Sequence, residues 1–444
     1  MLYIETCDVF HFVPSGAGTK WLETKGFATL WEGLQPNRGF LAVSILIEIL
    51  LFLWAIPLGL IVTYQAIVTG AAYAYRPQRS IGAEPLRFAV VVPAHNEATE
   101  IAATVHGIQK QEYPEDKFRL FVLADNCTDQ TAREAAKAGS EVIERTDPHN
   151  RGKGQALHWL FGSQLARFKD FEAVALVDAD TEVSPTFLQS MSDTLHVPGV
   201  RAAQGLYRVK NPGENWRTAL TFAGFSIVNC LRPMGRSHLG GTADLKGNGM
   251  ALRMDLVREF GYPAQTPVED TEFALLLLLS GYRVAFAEDA VVLSEMPATR
   301  TQAESQRKRW EGGRMLLLKM FVPKLLRRFT KSFDPALLDA ALDLCTPPLT
   351  LLVAIELAGF AASCLGGPVW MAVFGSLLLL TALQVTSALY VNKAPGRVWM
   401  ALAAAPLFIF WKIPLYLRIA SQGSPKTWER TQRRAEAENH DTKS

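Results

Sequence analysis

Between residues 86 and about 300, short apolar runs alternate with stretches of helical periodicity, and this alternation leaves few possible folds. The runs at 86–97, 118–126, 140–145 and 171–180 have the length and composition of buried strands. Alanine-rich or amphipathic helical patterns follow the first, second and fourth runs. Strands separated by helices form a mostly parallel sheet with helices on both faces, an α/β, Rossmann-like architecture. Ligands of such sheets bind beyond the carboxyl ends of the strands.

The run at 171–180 ends in Asp178 and Asp180, and these two carboxylates indicate a metal site. The two-residue period of a strand places both side chains on the same side. Carboxylates held close together repel each other unless a cation lies between them. Hard oxygen ligands suit Mg²⁺ or Mn²⁺, and these ions usually arrive with phosphate groups. The alternative is that one aspartate merely caps the next helix.

Residues suited to ligand binding also follow the other predicted strands. They are Pro93, His95, Asn96 and Glu97 after the first strand, Asp125, Asn126 and Asp129 after the second, and Arg151, Gly152, Lys153 and Gly154 before a helical segment at 155–168. Taken singly, the asparagines and aspartates are ordinary turn residues and the lysine is a solvated charge. On one sheet edge, amides and carboxylates can bind a base and ribose, while a lysine near a helix start can meet a diphosphate. Their convergence favours a nucleotide site.

Two later segments add candidate site residues. Residues 245–253 form a glycine-rich loop with Gly247 and Asn248 at its centre, and such a loop allows the backbone to approach a ligand closely. Glu269 and Asp270 stand at the head of a predicted helix. By themselves they need no role beyond complementing the positive end of the helix dipole.

Apolar segments long enough to cross a bilayer flank the α/β region. Residues 40–68 form the first, and 344–364 with 368–391 predict a transmembrane hairpin. A further apolar segment at 399–418 is either a span or an interfacial or re-entrant element. These segments account for a hydrophobic content of 49%, which exceeds what a soluble enzyme needs.

A basic cluster lies between the α/β region and the C-terminal apolar segments. In residues 299–331, lysines and arginines interleave with apolar residues, which is the pattern of a helix lying on an anionic membrane surface. A basic RNA-binding face is the rival interpretation. The hydrophobic segments that follow disfavour it.

The order of these motifs resembles that of the membrane-embedded family 2 glycosyltransferases, which include cellulose synthase, hyaluronan synthase and poly-N-acetylglucosamine synthase. The matching segments are 90–97, 125–129, 151–157, 178–180, 247–253, 269–270 and 306–310. The last fits the family pattern Gln-x-x-Arg-Trp. The match covers about residues 86–312, which makes it far more specific than any single motif. The sequence departs from the family at Ala124, often acidic, and at Asn126-Cys127, usually Gly-Ser.

The resemblance implies a GT-A fold, inverting transfer from a UDP-sugar, and Mg²⁺ or Mn²⁺ held at the Asp-x-Asp motif. The nucleotide would be bound by Pro93, Asn96, Glu97, Asp125, Lys153 and Asp178, and the metal by Asp180 with Asp178. Asp270 would be the general base, with Glu269 beside it. The diphosphate and acceptor would be held by Gln306, Arg309, Trp310, Gly247 and Asn248. Inverting transfer needs one base for the acceptor hydroxyl and charge stabilisation of the leaving diphosphate.

The expected function is extension of a β-linked polysaccharide. The alternatives are single addition to a lipid acceptor and a non-catalytic scaffold in an export complex. The expected partners are a UDP-sugar, a saccharide or lipid acceptor, the bilayer and, as an open alternative, accessory membrane subunits, but no nucleic acid. Five cysteines without a Cys-x-x-Cys pair argue against structural zinc and disulfides. We therefore expect a bacterial plasma-membrane protein with a cytoplasmic catalytic domain.

The expected organisation along the chain has six parts. They are an N-terminal segment (1–38), a transmembrane helix (39–70), the GT-A domain (80–300), interface helices (301–335), a C-terminal membrane region of two or three spans (344–418) and a polar tail (419–444).

Overall fold

A computed structural model describes residues 38–263, 266–297, 300–409 and 412, with side chains described from residue 42 and, after the second gap, from residue 306. The N-terminal segment and the polar tail expected from the sequence lie outside these residues. The strands are β1 (Phe88–Ala94), β2 (Phe118–Asp125), β3 (Glu141–Arg145), β4 (Ala173–Leu176), β5 (Thr181–Val183), β6 (Ala202–Val209), β7 (Met250–Arg253) and β8 (Val284–Ser294).

Helices occupy the connections and both flanks of the strand region. They are α1 (Arg38–Ala72), α2 (Ile101–Gln109), α3 (Thr131–Lys137), α4 (Lys153–Ser163), α5 (Phe187–Leu195), α6 (Trp216–Ser226), α7 (Arg232–His238), α8 (Met254–Phe260), α9 (Glu269–Leu279), α10 (Arg300–Ser332), α11 (Pro335–Cys345), α12 (Leu349–Ser363), α13 (Pro368–Val391) and α14 (Gly396–Ala401). A π-helical turn, Ile227–Leu231, joins α6 to α7. Short 3₁₀ turns lie at Glu115–Lys117, Leu165–Phe168 and Leu402–Ala404.

The described strands form one sheet in the order β3-β2-β1-β4-β7-β6-β8-β5. β1 pairs in parallel with β2 and β4, and the pairs β2–β3 and β6–β8 are also parallel. β7 runs antiparallel to β4 and β6, and β5 runs antiparallel to β8. The predicted α/β class with a GT-A fold is confirmed. The antiparallel pairs make the sheet mixed.

The sheet is buried on both faces, which is why its strands lack polar alternation. In β1, Phe88, Val90 and Val92 enter one apolar cluster, whereas Ala89 and Val91 enter the other. The first cluster is completed by α2 and α5, and the second by α4 and α8. The polar ends of β1 and β2 project beyond these two layers.

The strand predicted at 171–180 is shorter than expected: β4 covers Ala173–Leu176 only. Asp178 and Asp180 lie in a turn between β4 and β5, which is closed by a bond from the Thr181 amide to the Asp178 carbonyl (3.2 Å). The alternation nevertheless persists, with Asp178 and Asp180 half-buried and Ala179 buried. β5, which was not predicted, pairs with β8 rather than continuing β4.

Two of the described helices are long and apolar enough to cross a membrane: residues Ala42–Ala72 of α1, and α13. The span predicted at 344–364 falls on the end of α11 and on α12, which are long and apolar enough only when taken together as one bent pair. α11 and α12 meet at an angle of 72°. Pro347 and Pro348 explain the break, since proline lacks an amide donor and disfavours helix in the residue before it. Of the predicted segment 399–418, the described part belongs to a short apolar helix, Gly396–Ile409.

The apolar helices hold together through close packing and buried polar contacts. A Cβ at Gly359 of α12 would lie 2.3 Å from the Phe374 ring of α13, so this contact requires glycine. Gln384 Nε2 donates to Gln65 Oε1 (2.8 Å), and this bond ties α13 to α1. Gln65 Nε2 in turn donates to Thr346 Oγ1 (3.0 Å). Such bonds specify helix pairing in an apolar surrounding.

An ionic cluster joins the sheet domain to the apolar helices. It consists of Arg232 and Arg236 of α7, Arg314 of α10, and Asp339 and Asp343 of α11. Arg236 Nε lies 2.8 Å from Asp339 Oδ2, and Arg232 pairs with Asp343. The Arg314 guanidinium donates to the Thr346 carbonyl (3.2 Å) and to that of Asp343. All of these carboxylates and guanidinium groups except Arg314 have side chains less than 15% exposed.

Candidate active site

The loops after β1 and β2 are tied to each other at the edge of the sheet. Asn96 Oδ1 accepts the Thr128 amide (2.7 Å), and the His95 ring bonds the Asp125 carbonyl (2.7 Å). Asn96 and Asn126 have positive φ values of 57° and 51°, a conformation that asparagine tolerates better than most residues. The two loops therefore form one preorganised rim beyond the strand ends.

Asp125 lies in this rim, and its carboxylate is buried against an arginine. Arg145 Nη1 donates to Asp125 Oδ1 (2.6 Å), and Asn126 Nδ2 donates to the same oxygen (3.0 Å). The parallel register of β2 and β3 pairs residue 125 with residue 145, which explains the contact. Pro93 is half-buried on β1, and Glu97 is buried beside Thr131, whose hydroxyl accepts the Glu97 amide (2.8 Å).

Lys153 is the central cation of the site. It begins α4, and its Nζ donates to Asp178 and to the Gly247 carbonyl (2.6 Å). Burial lowers the pKa of the Lys153 ammonium, but Asp178, Glu269 and Asp270 overcome this effect and leave the pKa raised. The structure thus brings together residues that lie almost one hundred positions apart in the sequence.

Gly247 permits the close approach of two charged groups. Its φ is 74°, and a Cβ there would lie 2.9 Å from Asp270 Oδ2 and 3.4 Å from Lys153 Nζ. Asn248, fully buried, then fixes the start of the Asp-x-Asp turn, because its Oδ1 accepts the Asp178 amide (3.1 Å). Its Nδ2 donates to Thr181 Oγ1 (2.9 Å). Gly247 and Asn248 therefore fix the positions of Lys153 and Asp178 without extending a charged side chain into the site.

Glu269 and Asp270 occupy the first turn of α9 and face this cation. Glu269 packs over α4, since a Cβ at Gly154 would lie 2.8 Å from its Cγ. Burial is the main reason that the pKa of Glu269 is raised to about 7; Asp270 adds to the shift, whereas Lys153 and Arg309 oppose it. Burial also raises the pKa of Asp270, against the hydrogen bond from the Thr271 amide. Glu269 therefore exchanges its proton near neutral pH, and the raised pKa of Asp270 makes this carboxylate a better proton acceptor than an exposed aspartate.

Helix α10 brings the Gln-x-x-Arg-Trp segment to the same place. The Arg309 charge acts on Glu269, and Arg309 Nε is buried without a hydrogen-bond partner among the described residues. Such a buried donor calls for an acceptor, and a diphosphate oxygen would serve. Trp310 instead packs into an apolar cluster beside Phe225, with ring centroids 6.0 Å apart. Gln306 is half-buried one turn before Trp310.

The donor set of the Asp-x-Asp turn suits a metal that shares its ligands with a phosphate. Among the described residues, no group of three or more His, Cys, Asp and Glu side chains could enclose an ion. Asp178 and Asp180 supply two carboxylates, and Mg²⁺ is typically held by one or two carboxylates together with substrate phosphates and water. The residues therefore fit a divalent ion that binds together with a nucleotide diphosphate.

The sequence interpretation missed several residues around this site. They are Arg145, Gln204, Asp244, Lys246, Tyr262 and Ser294. Gln204 Nε2 donates to the Asn248 carbonyl (2.9 Å), and Lys246 Nζ lies 2.9 Å from Asp244 Oδ2. Asp244 directly precedes the glycine-rich loop and Lys246 lies within it, so both could have been noticed there. Arg145, Gln204 and Ser294 lie on strands whose pairing no local pattern indicates, and Tyr262 follows α8 in a loop.

This fold and this grouping of charges are those of a GT-A domain. The family model described as "Glycosyltransferase like family 2" matches residues 85–313, slightly more than half of the chain. The chain belongs to this family.

Two curated relatives differ in what their names say they make. The beta-monoglucosyldiacylglycerol synthase of Nostoc sp. is 27% identical over 231 residues, covering 50% of this chain and 48% of that protein. The glucomannan 4-beta-mannosyltransferase 7 of Arabidopsis thaliana is 26% identical over 249 residues, covering 54% and 44%. The chain thus spans about half the length of the curated relatives it matches.

A solved structure supports the fold. The mannosyltransferase PcManGT from Pyrobaculum calidifontis, in complex with GDP-Man and Mn²⁺, aligns over 82% of this chain and 99% of its own, with a TM-score of 0.51 and 22% identity. At this identity, the likeness establishes the fold and leaves donor and acceptor open.

Proposed function

We propose that this protein is an inverting glycosyltransferase that transfers a sugar from a UDP-sugar to an acceptor hydroxyl at a membrane surface. The observation that carries the proposal is the grouping of Lys153, Asp178 and Asp270 around Gly247. This grouping places a cation and a carboxylate base at one sheet edge, where GT-A sheets bind nucleotides. The rim formed by Asn96 and Asp125 would bind the uridine.

The proposed step needs one base and one charge-stabilised leaving group. Asp270 accepts the proton of the acceptor hydroxyl while that oxygen bonds to the anomeric carbon of the sugar. The bond between this carbon and the diphosphate oxygen breaks, and UDP leaves with the electron pair. Lys153 and Arg309 neutralise the charge that develops on the diphosphate. Glu269 keeps Arg309 and Lys153 oriented through its negative charge.

Asp178 and Asp180 would hold Mg²⁺ or Mn²⁺. When bound, the ion supplies Lewis-acid stabilisation of the diphosphate. Because Lys153 pairs with Asp178 in the described structure, it would have to share that carboxylate with the ion or turn towards the phosphates. Asp178, with its side chain 34% exposed, remains accessible for this exchange.

The acceptor has two candidates. Extension of a β-linked polysaccharide is the function expected from the Gln-x-x-Arg-Trp pattern of Gln306, Arg309 and Trp310. Addition to a lipid is the second candidate, and an apolar cavity between the start of α6 and the helix Gly396–Ile409 favours it. We propose that in either case the apolar helices α1 and α13 embed the protein in a bacterial plasma membrane, with the catalytic domain on the cytoplasmic side.

The test is a donor screen by UDP release with the purified full chain, comparing Mg²⁺, Mn²⁺ and chelator. We expect one UDP-sugar to be turned over only with a divalent ion. Asp270→Asn should lower this turnover by about 10²- to 10⁴-fold, the usual contribution of a general base. Unchanged turnover in Asp270→Asn would overturn the mechanism, and no turnover of any donor by the wild type would favour a non-catalytic scaffold.

Radiolabelled sugar then separates the acceptors. A ladder of long products indicates a polysaccharide, whereas a single product extracted into organic solvent indicates a lipid.

A further inference from the structure

An apolar cavity lies between the start of α6 and the short helix Gly396–Ile409. Its volume is about 550 Å³, which is within the range of small-molecule sites. Small side chains of Ala401, Ala403 and Ala404 leave the space on one side, and Trp216 and Ala219 of α6 form the other. This cavity is separate from the cluster around Lys153, because none of its lining residues belongs to that cluster.

The surroundings of the cavity are those of a site that opens to lipid. Met400 and Leu407 line it and are 71% and 67% exposed, although both are large apolar side chains. Such exposure is unfavourable in water and ordinary against acyl chains. The helix Gly396–Ile409 is apolar but too short to cross a bilayer, so it is suited to the interface.

Cationic groups border the apolar space. Arg397 lines it and lies over Gly213, where a Cβ would be 3.5 Å from Arg397 Cδ. The Arg217 guanidinium stacks on the Trp216 ring at 4.7 Å from its centroid. Trp216 in turn meets the Phe408 ring edge-on at 5.9 Å. An apolar pocket with arginines at its border complements an amphipathic molecule that has a polar or anionic head.

Helix α10 lies between the elements that line this cavity and the candidate active site. Arg307 bonds Thr221 of α6 (2.9 Å) and stacks on Phe408 at 4.8 Å. Arg309, two residues later, acts on Glu269 instead. Residues two positions apart point to nearly opposite sides of a helix, because each residue turns by about 100°. The cavity and the acid pair therefore lie on either side of one helix, about 10 Å across.

We propose that this cavity binds the acyl chain of a lipid acceptor, whose head then reaches past α10 to the hydroxyl-activating pair. The proposal rests on the proposed transferase function and assigns its acceptor class. It makes Ala404 and Arg397 specificity-determining residues for the acceptor, without contact to the donor.

The test uses the full chain in detergent, with a diacylglycerol that carries a photoreactive group in one acyl chain. We expect labelling of the peptides that contain residues 212–219 and 400–407. Unlabelled diacylglycerol should compete, whereas the same excess of phosphatidylcholine should not. Ala404→Trp, which fills the cavity, should abolish the labelling. Ala372→Trp, at an exposed alanine of α13, is the matched control and should keep it.

Kinetics provide the second readout. In Ala404→Trp, the KM for the lipid acceptor should rise about 10-fold or more, because several methylene groups of the acyl chain lose their apolar contact. The KM for the donor and acceptor-free UDP release should stay unchanged. Equal competition by phosphatidylcholine, or an unchanged acceptor KM, would overturn the assignment. Labelling tests the acyl-chain site and does not need turnover. Acceptor-free UDP release by the wild type tests the transferase function. Failure of the one can therefore be distinguished from failure of the other.

Discussion

At the scale of single residues, the site depends on the missing side chain of Gly247. Two features of this position require glycine: its backbone is left-handed, and a Cβ would collide with Asp270 Oδ2. Gly240 has nearly the same φ, 77°, but a Cβ there would meet nothing within 4 Å. Substitutions at the two glycines therefore distinguish the effect of backbone strain, which both share, from crowding of the Asp270 carboxylate, which only Gly247 would cause.

We expect Gly247→Ala to lower kcat by about 10²-fold, because displacing a reacting group by about 1 Å has an effect of this size. Gly240→Ala should introduce the same backbone strain of about 1–2 kcal/mol without crowding any side chain, so its kcat should stay at the wild-type value. Steady-state UDP release checks both variants, and their unfolding midpoints in detergent should agree. Equal kcat values for the two would show that Asp270 does not need its present position.

The acid pair should set the pH dependence of turnover. In the proposed mechanism Glu269 must be negatively charged to orient Lys153 and Arg309, and its pKa is raised to about 7 by burial and by its neighbour Asp270. Turnover should therefore fall as the pH drops below about 7, well above the ordinary range of a carboxyl. Glu269→Gln removes this titration, so we expect the acid limb to move to lower pH.

The measurement is kcat against pH, with Glu259→Gln, at an exposed carboxylate outside the site, as the control. An acid limb at pH 4–5 in the wild type, the ordinary carboxyl range, would contradict this expectation.

Most residues that the structure groups at this candidate site were predicted from the sequence, because they stand after strands or at helix starts. Asp125, Lys153, Asp178 and Asp270 each lie within a recognisable motif, and their roles remain predictions. Arg145 was missed because only the register of β2 and β3 brings it to Asp125. The role in holding the diphosphate and acceptor that was expected of Trp310 remains a prediction, since in the structure its ring packs beside Phe225.

At the scale of elements, α7, α10 and α11 are joined by the ionic cluster around Asp343. This aspartate faces Arg232, Arg236 and Arg314, all from other helices. No helical periodicity indicates such a contact, because its partners lie up to 111 positions apart. The break between α11 and α12, by contrast, could have been predicted from Pro347 and Pro348, which the apolar pattern of 344–364 concealed.

We expect Asp343→Ala to destabilise the protein by about 3–5 kcal/mol, because it leaves buried arginines without their counter-charge. The control is Glu84→Ala, which removes an exposed ion pair with Lys117. The Glu84 side chain is 82% exposed, so solvent screens this pair and we expect little change in stability. Denaturant unfolding in detergent measures both. Similar small losses in the two variants would mean that α7 and α11 are held by apolar packing alone.

At the scale of the whole molecule, α10 combines buried apolar residues with exposed basic ones. Leu317, Phe321 and Leu325 are buried in the apolar cluster with α9 and α11. The basic residues Lys319, Lys324, Arg327 and Arg328 are exposed. The contact of this helix with anionic head groups remains a prediction, which the exposed basic residues allow.

We expect turnover in nanodiscs to depend on anionic lipid and to lose this dependence when Lys324, Arg327 and Arg328 are all replaced by glutamine. Each basic residue near an anionic surface contributes about 1 kcal/mol, and salt weakens the attraction. The control replaces the exposed Lys110, Lys137 and Lys169 of the sheet domain by glutamine. Equal lipid dependence in both triple variants would rule out this role for α10.

Helix α10 is 33 residues long, which corresponds to about 50 Å, and it carries Arg309 in one half and the basic face in the other. We expect a helix of this length to couple the candidate site to lipid composition. A change in surface charge density or lateral pressure that tilts its membrane end would displace the Arg309 guanidinium, which is proposed to face the diphosphate. The bilayer would then act as an effector of sugar transfer as well as its location.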